Sequence, residues 1–287
     1  MFRLCGGIGA GKRITRIGIG FASLAAASAM ALVVAGLALA AVPEVGRCVA
    51  QPRGKYKDAN CAEKTFTGKG QFEFTRNPLS KAFNASGGEA VWQDVSGGRL
   101  VCEATSARGE YLEKGTTPST REVHHLILTF TGCTLPSLAT TCQSAGAAAG
   151  EVDTLALKGP LGYISGEKTT TPVVGVQLTP EKLKGLFAEF KCLNGGETNQ
   201  IRGAEGTIEG RHAGNCVIGA FQEVNVMSTT FAFAYNGKEG QQEPQHFQPS
   251  TAKLCNLIVN DNGGAFERFA WTFGLTLSNG EALEIKA

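Results

Sequence analysis

Between Phe269 and Leu277 the chain reads FAWTFGLTL, and every second residue is large and apolar. A period of two places Phe269, Trp271, Phe273, Leu275 and Leu277 on one face of a strand and the smaller residues between them on the other. The alternation recurs along the chain. GQFEFT sets Phe72 with Phe74, PVVGVQL sets Val174 with Val176 and Leu178, and FAEFKC sets Ala188 with Phe190 and Cys192. MSTTFAFAY sets Thr229, Phe231, Phe233 and Tyr235 against small Ala232 and Ala234. EAVWQD, GGRLVCEAT, RGEYLE, HHLILTF and ALEIKA read as further strands, and GEVDTLALKG and LGYIS flank a turn at Gly159-Pro160. One short helix is expected over Thr179–Phe187, with Thr179 as its cap, Pro180 in its first turn and Glu181 near its positive end. Many half-buried strands without amphipathic helices between them predict a mainly β fold, an antiparallel β-sandwich or barrel-like body.

The first 41 residues are of another kind. In CGGIGAGKR, Gly6, Gly11 and Lys12 have the spacing of a phosphate-binding loop. Such a loop needs a Ser or Thr after the lysine and a buried strand before it. Here Arg13 follows Lys12, and only MFRL precedes Cys5. Arg3, Lys12, Arg13 and Arg16 instead form a basic start, with no acidic residue before Glu44. Ile17–Val42 carries no charge, and Ala38-Leu39-Ala40 is a small-x-small ending. Residues 1–41 therefore read as an export signal cut near Ala40. The rival is an uncleaved membrane anchor, a transmembrane helix, because at about 1.5 Å per residue the run is long enough for a ~30 Å hydrocarbon core. Both readings place the rest of the chain outside the cytoplasm, secreted or at the cell surface. Loss of four basic and no acidic residues turns the net charge from +2 to −2, which excludes a nucleic-acid partner held by a basic patch.

Cys5 lies in the signal. The remaining cysteines are Cys48, Cys61, Cys102, Cys133, Cys142, Cys192, Cys216 and Cys255. An even set in an oxidising compartment predicts four disulfides. Sequence alone cannot choose among the possible pairings, but local spacing favours Cys48–Cys61 and Cys133–Cys142, and Cys102 is then paired with Cys192 and Cys216 with Cys255. Residues 42–67 then form a small disulfide-closed element ahead of a β-rich body over 68–287, in one piece or two subdomains. No C-x-x-C occurs. On an unbroken strand His124 shares a face with Leu126, Leu128 and Phe130, and His125 with Ile127, Thr129 and Cys133. The pair then points apart and is badly placed to chelate one ion. His212 and His246 complete no constellation, so no metal or other cofactor is expected.

Nucleophile motifs are missing: there is no G-x-S-x-G and no H-E-x-x-H. Ser165–Lys168 and Ser250–Lys253 match S-x-x-K but lack the S-D-N and K-T-G partners that give it meaning. A glycosidase needs two carboxylates about 5–10 Å apart. Glu103, Glu110, Glu113 and Glu189 are the candidates, and Trp92 and Trp271 are the indoles available for stacking, although Trp271 falls on an apolar face. Asn260–Gly264 is a turn with too few acids for calcium, and Gly237–Ser250 is the least strand-like stretch of the body, read as a connection with binding as the alternative. The expected function is therefore non-catalytic, a binding or structural role toward an envelope polymer or surface protein. The alternatives are a secreted hydrolase with a carboxylate pair and a membrane-anchored surface protein.

Several segments carry a resemblance: GRCVAQPRGKYKDANCAEK, LTFTGCTL, AGEVDTLALKGPLGYI, VGVQLTP, FAEFKC and VNVMSTTFAFAY. From Gly46 to about Tyr235 the chain resembles a group of secreted, cysteine-containing, β-rich proteins abundant in high-GC soil actinobacteria. The resemblance implies export, a β body and paired cysteines at Cys102, Cys133, Cys142 and Cys192. It implies no activity and no catalytic residue, and Cys216 and Cys255 look like additions to the pattern.

Overall fold

A computed structural model describes residues 42–287 apart from 66–67, 77, 79–80, 114–119, 168, 170, 183–184, 193–197, 206, 209–210, 249–253 and 262–263. The signal or anchor over 1–41 lies outside the described residues. So do Lys168, the Ser250–Lys253 motif and part of the Asn260–Gly264 turn. Among the described residues no helix is long and apolar enough to cross a membrane.

The described residues from 42 to 287 belong to one compact unit. It opens with β1 (Glu44–Gly54) and β2 (Gly70–Thr75), an antiparallel pair. Eight staves follow in chain order. They are β3 (Ala82–Gly87) with β4 (Ala90–Asp94); β5 (Arg99–Cys102) with β6 (Ala104–Glu113); and β7 (Thr120–Thr131) with β8 (Thr134–Leu135). Next come β9 (Thr140–Gln143) with β10 (Val152–Asp153) and β11 (Leu157–Ser165), then β12 (Val173–Pro180) with β13 (Leu186–Cys192). After β14 (Thr198–Gly203), a small hairpin of β15 (Thr207–Ile208) and β16 (Arg211–His212) precedes β17 (Val217–Phe221). β18 (Ser228–Lys238), its return β19 (Gln241–Glu243) and β20 (Leu257–Asp261) make the seventh stave, and β21 (Phe266–Lys286) alone is the eighth.

Each stave pairs antiparallel with the next. The circuit β3–β6–β7–β11–β12–β17–β18–β21 closes on β3. The other halves of the staves make a second circuit, β4–β5–β8–β9–β13–β14–β20–β21, which closes on β4. The body is thus a closed up-and-down barrel, an arrangement that leaves no sheet edge on its wall. β1 runs at one end, paired with β21 at Glu44–Gly46 and bridged through Val45 to Thr120 of β7.

The alternation read from the sequence is the inside and outside of this wall. Phe269, Trp271, Phe273, Leu275 and Leu277 are all buried, as are Val174, Val176 and Leu178. Asn84, Ser86, Arg108, Thr276 and Ser278 are exposed on the outer face. A barrel that spans a membrane with its strands has the opposite polarity. Trp92 and Trp271 fill the middle with ring centres 6.0 Å apart. Trp92 meets Phe130 edge-on at 4.7 Å, and Trp271 lies 5.5 Å from Tyr235. The first circuit keeps a void of about 20 Å³, lined by apolar side chains such as Phe83, Leu128, Val176 and Phe233, close to the space of one water molecule.

Two local expectations fail. Thr179–Phe187 is not a helix. Thr179 and Pro180 finish β12 opposite Lys158 and Leu157, and Leu186 and Phe187 already belong to β13. A helix there would break the stave between its two halves, and the pairing outweighs local cap signals worth about 1 kcal/mol. Gly159-Pro160 is not a turn either, but lies inside β11, opposite Val123 and Glu122 of β7. A Cβ at 159 would collide with the Gln177 carbonyl of β12, so close approach of two strands requires the glycine. Pro160 sits beside a register shift, where proline is tolerated in a sheet.

Candidate functional site

The cysteines are paired as Cys48–Cys61, Cys102–Cys133, Cys142–Cys192 and Cys216–Cys255. The first and last match the expected pairing; the middle two correct it. Cys102, Cys133, Cys142 and Cys192 form one row across four neighbouring staves. Val101 faces Thr134, the Cys142 N–H donates to the Cys133 carbonyl at 3.0 Å, and Cys142 faces Cys192. A bond between the middle pair would leave Cys102 and Cys192 three strand spacings apart, about 14 Å. That is twice the Cα separation a disulfide can bridge. Pairing each outer cysteine with its neighbour uses all four. Cys216–Cys255 lies outside the barrel with Ile218 and Phe247, and the Gln177 amide donates toward both sulfurs at 3.3 and 3.0 Å. Phe247 is 1 % exposed, so the stretch after Gly237 is in part packed onto the wall.

The histidine pair is arranged differently from the expectation. Between Val123 and Leu126, β7 holds one residue more than either neighbour: Val123 and Leu126 face Gly159 and Leu157 of β11, and His124 and Ile127 face Glu110 and Arg108 of β6. His125 takes up the extra length with φ +50°. Val123 and Leu126 both point inward and are buried. His124 and His125 therefore share the outer face, and the spacing V-x-x-L in place of V-x-L was the signal for it. Both rings meet Glu181, which lies just after β12. His125 Nδ1 is 3.1 Å from Glu181 Oε2 and His124 Nδ1 is 4.0 Å from Oε1. The opposite ring nitrogens meet other carboxylates: His124 Nε2 is 3.0 Å from Glu122, and His125 Nε2 is 3.4 Å from Glu110. The His125 backbone N–H also donates to Glu181 at 2.7 Å. Among the described residues, no group of three or more His, Cys, Asp or Glu side chains is placed to hold a metal ion as it stands.

The proposed glycosidase parts are scattered. Seven residues of extended chain separate Glu103 from Glu110, about 23 Å. Glu110 is engaged with His125, Glu189 accepts from Gln200 on β14 at 2.8 Å, and the side chain of Glu113 lies outside the described residues. Trp92 and Trp271 are fully buried and offer no platform to a sugar. His246 is exposed in the connection after β19.

A cleft of about 440 Å³ opens beside β1, lined by Glu44, Lys55, Tyr56, Glu73, Arg76 and Lys286 among others. Its charges are largely engaged with each other: Lys55 with Glu73 at 2.8 Å, Arg76 with Glu44 at 2.7 Å, and Arg121 with Glu44 at 3.3 Å. Next to it Glu284 is fully buried; one oxygen accepts from Lys286 at 2.9 Å and the other has no hydrogen-bond partner. Burial raises its carboxyl above the ordinary value, against the pull of Lys286. A folded-state value above the unfolded one means that folding takes up a proton, so stability is lost as pH rises through the raised value. Glu284→Gln is expected to remove that loss and to be the more stable form at about pH 7. Denaturant midpoints of both proteins between about pH 4 and 7 test it, and parallel pH curves would refute it.

These features define a closed, disulfide-linked antiparallel β-barrel with a filled interior. No family model, curated protein or solved structure matches the chain.

Proposed function

We propose that this is an exported, non-catalytic barrel that acts through its outer surface, in a binding or structural role at the cell envelope. The observation that carries the reading is the interior. Where barrels that carry small molecules keep a chamber, this one holds Trp92, Trp271, Phe130 and Tyr235 in mutual contact. Four disulfides support an oxidising location. The basic start and uncharged run of residues 1–41 support export. An envelope polymer or surface protein is the partner class that this location offers.

Fractionation of the producing cells tests the reading. The protein is expected in the medium or envelope with its eight body cysteines resistant to alkylation until reduced. Recovery in the cytoplasm with reactive thiols would refute it. Hydrolysis of envelope glycans that Glu110→Gln or Glu189→Gln abolishes would replace it with the hydrolase reading.

A further inference from the structure

We propose that His124, His125 and Glu181 bind one divalent transition-metal ion of the zinc or copper class. The arrangement of ring nitrogens carries the inference. Each Nε2 faces its own carboxylate, Glu122 for His124 and Glu110 for His125. Metal-binding histidines have this support: one nitrogen donates its proton to a carboxylate and so fixes the ring with the other nitrogen free to ligate. With the protons on Nε2, both Nδ1 lone pairs point at the Glu181 carboxylate, 3.1 and 4.0 Å away. Lone pairs facing a carboxylate repel unless a proton or a metal ion stands between them, and an ion that displaces those protons finds both Nδ1 atoms turned toward Glu181. Three carboxylates around two imidazoles supply the negative charge, and imidazole with carboxylate is a donor set that suits zinc, nickel and copper.

The geometry is near a ligand set without being one. Donor atoms around a tetrahedral zinc ion at about 2.1 Å stand about 3.4 Å apart, and the two Nδ1–oxygen separations bracket that value. The ring centres are 6.1 Å apart, about 1 Å more than two imidazoles on one tetrahedral ion. The His125 side chain is 65 % exposed, so it has room to turn inward while the bulge stays in place. Glu181 is 10 % exposed and held by the His125 N–H, a fixed anchor for the ion.

Calorimetric titration of the whole, chelator-stripped chain with Zn²⁺ tests the site. One saturable ion per chain is expected. His124→Ala, His125→Ala and Glu181→Gln each weaken it by about 10- to 100-fold or more, and Glu110→Gln weakens it less. His246→Ala leaves it unchanged. Circular dichroism confirms that each variant is folded, and Cu²⁺ spectra of the parent show nitrogen coupling that His125→Ala reduces. No saturable uptake, or uptake unchanged in His124→Ala and His125→Ala, would overturn the proposal.

Discussion

Trp271→Ala is expected to cost about 3–5 kcal/mol. Trp271 is fully buried and packs against Trp92, Phe187, Tyr235 and Phe273, with ring centres 5.5 to 6.0 Å away. It lies in the part of β21 paired with β4, near where the strand passes from one circuit to the other. Its removal leaves a cavity between residues fixed by two circuits of hydrogen bonds, so the wall cannot collapse to fill it. Domains of ordinary stability have about 5–15 kcal/mol in all, and the variant approaches the limit of folding. Trp271→Phe keeps most of the aromatic contact and loses much less. Denaturant unfolding followed through Trp92, the remaining indole, measures both. A loss below about 1 kcal/mol for Trp271→Ala would mean that the interior is not packed as described.

Removal of the Cys142–Cys192 bond by the double alanine variant is expected to cost about 4 kcal/mol, the loop-closure value for its separation of 50 residues. The single variants should differ from each other. Cys192→Ala leaves the Cys142 thiol beside Cys133, where it can attack the Cys102–Cys133 bond. A mixture of Cys102–Cys133 and Cys133–Cys142 follows. Cys142→Ala leaves Cys192 two strand spacings from Cys133, about 10 Å, and no exchange follows. Peptide mapping after alkylation separates the two cases. Equal scrambling in both variants, or none in either, would contradict the row.

The sequence shows each stave but not the neighbours of each stave. FAWTFGLTL, VVGVQL and FAEFKC declare their buried faces, because alternation is a property of one strand, and the residues that the period of two puts inside are buried; Phe187, beside a register shift, and the small Ala270 are buried as well. The closure into a barrel rather than a sandwich depends on β21 meeting β3, residues nearly two hundred positions apart, and no local pattern states it. The same gap misled the disulfide assignment. Spacing within the chain favoured Cys133 with Cys142, and those two are indeed neighbours across a turn, but the bonding follows a row of four that register alone reveals. Thr179–Phe187 shows the reverse case, where real helix-start signals lose to pairing on both sides. The histidine site was hidden by a single extra residue. An unbroken strand sends His124 and His125 apart, and the bulge brings both to Glu181, which no motif connects to them.

Disulfide mapping of the exported protein tests the barrel most directly. Trypsin leaves Cys133 and Cys142 in one peptide, since no Lys or Arg lies between Arg121 and Lys158. A second cut after Leu138, which is 61 % exposed, separates them. The expected result is two linked pairs, Cys102 with Cys133 and Cys142 with Cys192, as this register requires with stave two beside stave three and stave four beside stave five. Peptides joining Cys133 to Cys142 and Cys102 to Cys192 would contradict that order of strands and the closed barrel built on it.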